Sequence, residues 1–289
     1  ALTREAMRAA KFGFTATEYE RAKANYMSAL EKQYTNRDKI NNDVFGRACA
    51  SNYLEKEPLL SIEQTYQIMQ QLTPMLPVDV VNEAMKQLIS LSDSNVVIYN
   101  TTTEKEGMVY STEASLKKAY DDARAEKIEA YVDNVKQEPL IAEQPKAGKI
   151  VSEKENAKFG YKELTLSNGA RVLLKKTNLK EGEVLFNGSS KGGKSLYDAK
   201  ERVNLDLFNA VISYSGLGNF SSTELQKVLA GKNANVNLSL ANLHEYVSGS
   251  CTPKDMETMF QMNYLYFTNI KKDEQAFNSL INQYRAALK

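Results

Sequence analysis

One histidine and two cysteines are the only imidazole and thiol groups in 289 residues. A hydrolytic or structural zinc ion is held by three or four His, Cys, Asp or Glu side chains converging from fixed spacings. His244, Cys49 and Cys251 cannot supply a conventional His-rich or Cys-rich set. His244 and Glu245 are adjacent on a segment that reads as a strand, so their side chains leave on opposite faces; an ordinary edge-strand or surface histidine is the expectation. The sequence nominates no catalytic, cofactor-binding or metal-binding residue, and no cofactor for this chain.

Other chemical patterns are equally incomplete. Lys191-Gly192-Gly193-Lys194-Ser195 lacks the leading glycine spacing of a phosphate loop and reads as a turn. Gly216-Leu217-Gly218 lacks the third glycine of a dinucleotide fingerprint and follows a helix, so it reads as backbone punctuation. Tyr19, Tyr26, Tyr66 and Tyr120 fall at helical core spacing with no interleaved basic stripe, which predicts packing and not base stacking. Lys117, Lys118, Arg124 and Lys127 alternate with Asp121, Asp122 and Glu126 as a solvated helix face.

Composition narrows the class further. The net charge is +1, from 37 basic and 36 acidic residues, so no global field draws the chain to nucleic acid. No run of about 18 apolar residues occurs, so no membrane span is predicted. Cys49 and Cys251 are too sparse for a disulfide framework and read as small buried hydrophobes. The opening residues form an uncapped amphipathic helix without signal-peptide features, as though cut from a longer chain.

The elements that would position these residues fall into two blocks. In the first, the pattern predicts helices over Thr15–Tyr34 with Thr17 as cap, Arg37–Leu54, Ser61 onward, Val78–Leu91 and Thr112–Val132. Their expected inner faces include Leu30, Val44, Phe45, Ile68, Leu72, Val81 and Leu88. Asn95–Tyr99 is β-branched and aromatic, predicting a buried strand. Helices ending in a single strand make half of an α+β unit, without the strands they should cover.

Asp133–Lys158, rich in Glu, Lys and Gln with two prolines, reads as an extended linker. Beyond it, Ser167-Asn168-Gly169 between alternating runs predicts a hairpin. Strands at Glu183–Gly188, Ala234–Leu240 and His244–Ser250 follow, with helices at Asp198–Tyr214, at Ser221–Leu229 capped by Ser221 or Ser222 with Glu224 near its third position, from Thr252 and from Asp273 to Lys289. The expected domains are therefore 1–132, mostly helical; 133–158, linker; and 159–289, the opening portion of a second α+β repeat.

The two blocks in this order resemble the middle of the pitrilysin/insulinase family of zinc metallopeptidases. The resemblance rests on Gly160 through Val172, Phe186 through Gly193, Ser215 through Phe220, Glu224 through Lys232 and Lys254 through Thr258. In the first block it rests on Gly13-Phe14-Thr15 followed by Glu18, Arg21, Ala22 and Lys23. It implies an α+β fold of two partial α/β-sandwich repeats, pitrilysin-like and metallohydrolase-like, joined by a linker. It also implies a two-halved chamber in which an unfolded peptide adds a strand to a sheet edge.

Family catalysis uses an inverted His-x-x-Glu-His helix, two histidines binding zinc and the glutamate acting as base. On the helix where it would fall, Asn204–Tyr214 carries no histidine and no glutamate. The resemblance thus implies a non-catalytic segment that walls and hinges the chamber, with zinc and the catalytic repeat elsewhere in the parent protein. A non-enzymatic scaffold of the same fold, like the core subunits of the respiratory cytochrome reductase, is the alternative. A periplasmic or envelope location is the expectation for the parent.

Overall fold

The computed structural model describes residues 1–89, 91–92, 94, 96–103 and 106–288. Its contacts divide the chain into two units, 1–24 with 67–134 and 25–66 with 135–289, so that two helices contribute to both.

The first unit is helical. α1 (Leu2–Phe12) has no side-chain cap and ends at Gly13, whose φ of 70° suits glycine. α2 (Ala16–Thr35) starts one residue after Thr15, which is the actual cap: the Glu18 amide donates to Thr15 Oγ1 at 3.2 Å and Glu18 accepts from the Thr15 amide at 2.9 Å. Thr17 instead donates to Asp133. α5 (Val78–Leu88) and α6 (Glu113–Ala125) pack on α1. α5 stops short of the expected Leu91; Ser90 lies outside the described residues. α6 stops well before Val132, because Glu126 turns extended, and the chain beyond it buries Ile128 while Arg8 donates to the Glu129 carbonyl.

The expected strand at 95–99 does not form among the described residues. Asn95 lies outside them, and Val96–Tyr99 runs without a partner strand, leaving Val97 88% and Tyr99 85% exposed. A lone strand has no ladder to satisfy its backbone, so β-propensity alone cannot make one.

The second unit holds the second half of α2, a 3-10 turn at Arg37–Lys39, α3 (Asn42–Glu55) and the first residues of α4 (Ile62–Leu72). The helix expected from Arg37 thus begins five residues late, Ile40 being extended between the turn and the helix. Val44, Phe45, Ile68, Leu72 and Leu88, all expected to face a core, are exposed, as are Tyr26 and Cys49. Helical periodicity marks a face that could be buried; it does not supply the layer that buries it.

Past residue 135 the architecture is mixed. The stretch expected to be linker has no regular structure until β1 (Ile150–Asn156), which pairs antiparallel with β2 (Tyr161–Leu166). β2 pairs in turn with β3 (Arg171–Leu174) around the predicted turn, where Gly169 has φ 85°. A second antiparallel sheet has the order β4-β7-β6, formed by Val184–Lys191, His244–Cys251 and Ala234–Leu240. α7 (Arg202–Tyr214) lies against β6, and α9 (Met256–Thr268) crosses β6 and β7. A Cβ on Gly249 of the central strand would fall 2.8 Å from the Asn235 carbonyl and 3.1 Å from Met259 Sδ, so glycine there lets the helix seat.

The core of this unit is Ile141, Leu217, Phe220, Leu225, Val236, Cys251, Met259, Met262 and Leu265. Leu217 and Phe220 flank a tight turn between β5 (Gly216–Leu217) and α8 (Ser222–Val228) and are wholly buried. β5 pairs with β8 (Ile270–Lys271), and α10 (Glu274–Ala287) closes the described chain with Asp273 capping the Ala276 amide at 2.9 Å.

Candidate functional site

α7 is the helix on which the resemblance would place a zinc motif. Its carboxylate, Asp206, accepts from Lys194 Nζ at 2.7 Å, with Arg202 3.9 Å away. The hydrogen bond from Lys194, and then the two positive charges, hold the Asp206 carboxyl below the usual range. It is a surface ion pair, not a poised base. Asn209 on the same helix receives the Leu240 amide at 2.8 Å and donates to its carbonyl at 3.3 Å. That side chain fastens the last residue of β6, a role no sequence signal announced.

His244 opens β7 opposite Lys191 and stacks on Tyr246 two residues on, with ring centroids 5.8 Å apart. β7 is the central strand of its sheet, so of the two expected placements, surface or edge strand, the edge strand is excluded. Among the described residues, no three His, Cys, Asp or Glu side chains gather where they could hold a metal ion. The side chains of the described residues therefore do not form a donor set that fits a zinc ion.

The Lys191–Ser195 loop is a turn, as expected. The Gly192 amide donates to Leu243, Lys194 to Ala241 and Ser195 to Asn242, all at 2.9–3.0 Å. Ser195 Oγ donates to the Gly192 carbonyl at 2.6 Å. With those amides committed to the β6–β7 connection, the loop cannot cradle a phosphate. Gly216-Leu217-Gly218 is likewise structural: a Cβ on Gly216 would sit 2.0 Å from the Phe220 carbonyl oxygen.

A polar cluster surrounds Asn219. Its carbonyl accepts from Lys136 Nζ at 2.6 Å and Lys271 Nζ at 2.7 Å, while its side chain donates to Glu138 at 3.1 Å. Both lysines also face Glu224, at 3.3 and 3.7 Å. Ser221 and Glu224 form the predicted capping box of α8. Hydrogen bonds from the Ser221 backbone and hydroxyl, then from Lys136, hold the Glu224 carboxyl at about 2. The cluster ties residues 136–138 to the turn between β5 and α8, and Leu140 and Ile141 continue the strap into the core. It is fully engaged in structure.

Asp255, 2% exposed, is similarly spoken for: it accepts from the Asn233 amide at 2.9 Å and Thr252 Oγ1 at 2.8 Å, with Lys232 at 3.6 Å. Burial, then the Asp255 charge, push the neighbouring Cys251 thiol up, away from the thiolate a nucleophile needs.

A chain of mixed helix and sheet, with an Asn-Gly hairpin, a ligand-free α7 and the Gly216–Phe220 turn, is related to zinc proteases of the pitrilysin/insulinase type. It is 26% identical over 279 residues to the probable zinc protease PqqL of Escherichia coli, spanning 96% of this chain and 30% of that protein. It is 24% identical over 264 residues to a zinc protease PQQL-like of Arabidopsis thaliana, spanning 91% of this chain and 25% of that protein. The crystal structure of the periplasmic protease PqqL from Escherichia coli shares the fold, with a TM-score of 0.50 and 23% identity over 99% of this chain and 32% of that one. No family model matches the chain. The chain thus spans about a third or less of the length of the relatives it matches.

Proposed function

We propose that this chain is a non-catalytic segment of a longer pitrilysin-like zinc metallopeptidase. Two partial repeats, 1–132 and 159–289, would be joined by residues 133–158. In the intact protein it walls and hinges a chamber for unfolded peptides, while the zinc and the catalytic repeat lie outside these residues. What supports this reading is α7: the resemblance makes it the counterpart of the family's metal-binding helix, and it presents only Asp206, already bound to Lys194, as an anionic side chain. The names of the relatives support the protease class, and the periplasmic source of the structural neighbour supports an envelope location.

The experiment compares cleavage of unfolded peptides by this chain and by the full polypeptide as its source cell makes it, with and without a chelator. The reading expects chelator-sensitive cleavage by the full polypeptide and none by the 289-residue chain. A full polypeptide that cleaves nothing would instead be a scaffold of the same fold.

A further inference from the structure

Two Asn-Gly pairs occur in the sequence, Asn168-Gly169 and Asn187-Gly188. An asparagine followed by glycine can react with its own backbone, because no Cβ shields the next peptide nitrogen and the glycine turns freely. That nitrogen attacks the side-chain Cγ, its proton passes to solvent base, and the carboxamide nitrogen leaves as ammonia, closing a succinimide. Water then opens the ring at either carbonyl. The net change is asparagine plus water to ammonia plus aspartate or isoaspartate. Both products add a negative charge, and isoaspartate also adds a methylene to the backbone. Ring closure needs the pair to rotate, so whatever holds the glycine amide sets the rate.

The two pairs are held differently. Both asparagines are exposed, so access to water does not separate them. Asn187-Gly188 lies inside β4, and the register that bonds the Gly192 amide to the Leu243 carbonyl also turns the Gly188 amide toward Val247 of the central strand. A Cβ on Gly188 would fall 2.7 Å from Val247 Cγ1, so the backbone there is crowded as well as paired. Asn168-Gly169 sits instead at the tip of the β2–β3 hairpin. The Gly169 amide donates to the Leu166 carbonyl at 2.9 Å in a turn open to water, and Asn168 Oδ1 accepts from the Ala170 amide at 3.1 Å. A Cβ on Gly169 would meet nothing within 4 Å, so the turn can rotate without displacing a neighbour. Ser167, one residue earlier, clasps the chain entering β1: its amide donates to the Lys149 carbonyl at 2.7 Å and its hydroxyl accepts from the Lys149 amide at 3.1 Å.

We propose that Asn168 is a site of spontaneous deamidation in the folded chain, that pairing in β4 protects Asn187, and that the isoaspartate formed at 168 loosens the Ser167 clasp on β1. The test ages the folded chain in mildly alkaline buffer and follows both sites by peptide mass spectrometry. Conversion at Asn168 should run roughly tenfold or more faster than at Asn187, and the product should accept a methyl group from an isoaspartate carboxyl methyltransferase. In urea strong enough to unfold the chain, the two rates should converge. The isoaspartate form, separated by chromatography, should exchange its 150–156 amides roughly tenfold faster than the unaged chain. Equal rates at the two sites in the folded chain overturn the proposal, as does an Asn168 that stays intact while Asn187 reacts. A rate ratio that persists unchanged in urea overturns it too, because flanking sequence and not the fold would then set the rates. Unaltered exchange over 150–156 in the isoaspartate form overturns the effect on β1.

Discussion

The two units of this chain differ in what their apolar faces have to lean on. In the second, a three-stranded sheet lies under α9, and Met259, Leu217 and Phe220 lose all contact with water. In the first, α5 and α6 carry faces of the same helical period but bury no residue of their own. A helix is stabilised chiefly by what its apolar stripe packs against. The comparison teaches that amphipathic pattern and burial are separate facts, joined only where a second layer exists.

That contrast can be broken most decisively in the core. Phe220→Ala should cost about 3–5 kcal/mol and unfold the second unit in urea melts followed by tyrosine fluorescence. Val97→Ala, on the exposed run, should leave the midpoint within about 0.5 kcal/mol of the parent value. Gly216→Ala sharpens the same point by overpacking, since its methyl would collide with the Phe220 carbonyl; a loss of about 1–3 kcal/mol is expected.

Acid separates the units by a different route. Glu224 has a folded-state pKa of about 2 against an ordinary 4.5, so its contribution is complete above pH 4.5 and is lost as pH falls from there to about 2. Glu224→Gln should flatten the acid limb of a stability-against-pH curve in that window and cost about 1 kcal/mol at neutral pH, the usual worth of a helix cap. The smallest effect belongs to the surface pair on α7. Asp206→Asn should change stability by less than about 0.5 kcal/mol by the same melts.

Local chemistry was the legible part of the sequence. The Asn168-Gly169 turn, the Ser221/Glu224 capping box, the Asp273 cap and the strands of the second sheet follow from short-range rules, because the residues that decide them are neighbours in the chain. What escaped depends on distant partners. Leu140 and Ile141 sit in a polar stretch with no periodicity, yet two adjacent apolar residues suffice to strap it to the core once Lys136 and Glu138 reach Asn219. Val96–Tyr99 alternates in exposure as a strand does, but no neighbouring strand pairs with it among the described residues. Cys49 reads as a small buried hydrophobe, but it is exposed. For the candidate site the sequence offered only a count of imidazoles and thiols, and a count carries no geometry.

Zinc content after exhaustive dialysis of the 289-residue chain tests the central claim most directly. With one imidazole stacked on Tyr246 and its α7 carboxylate tied to Lys194, the chain should retain far less than one equivalent. One tightly held zinc ion per chain would contradict the account.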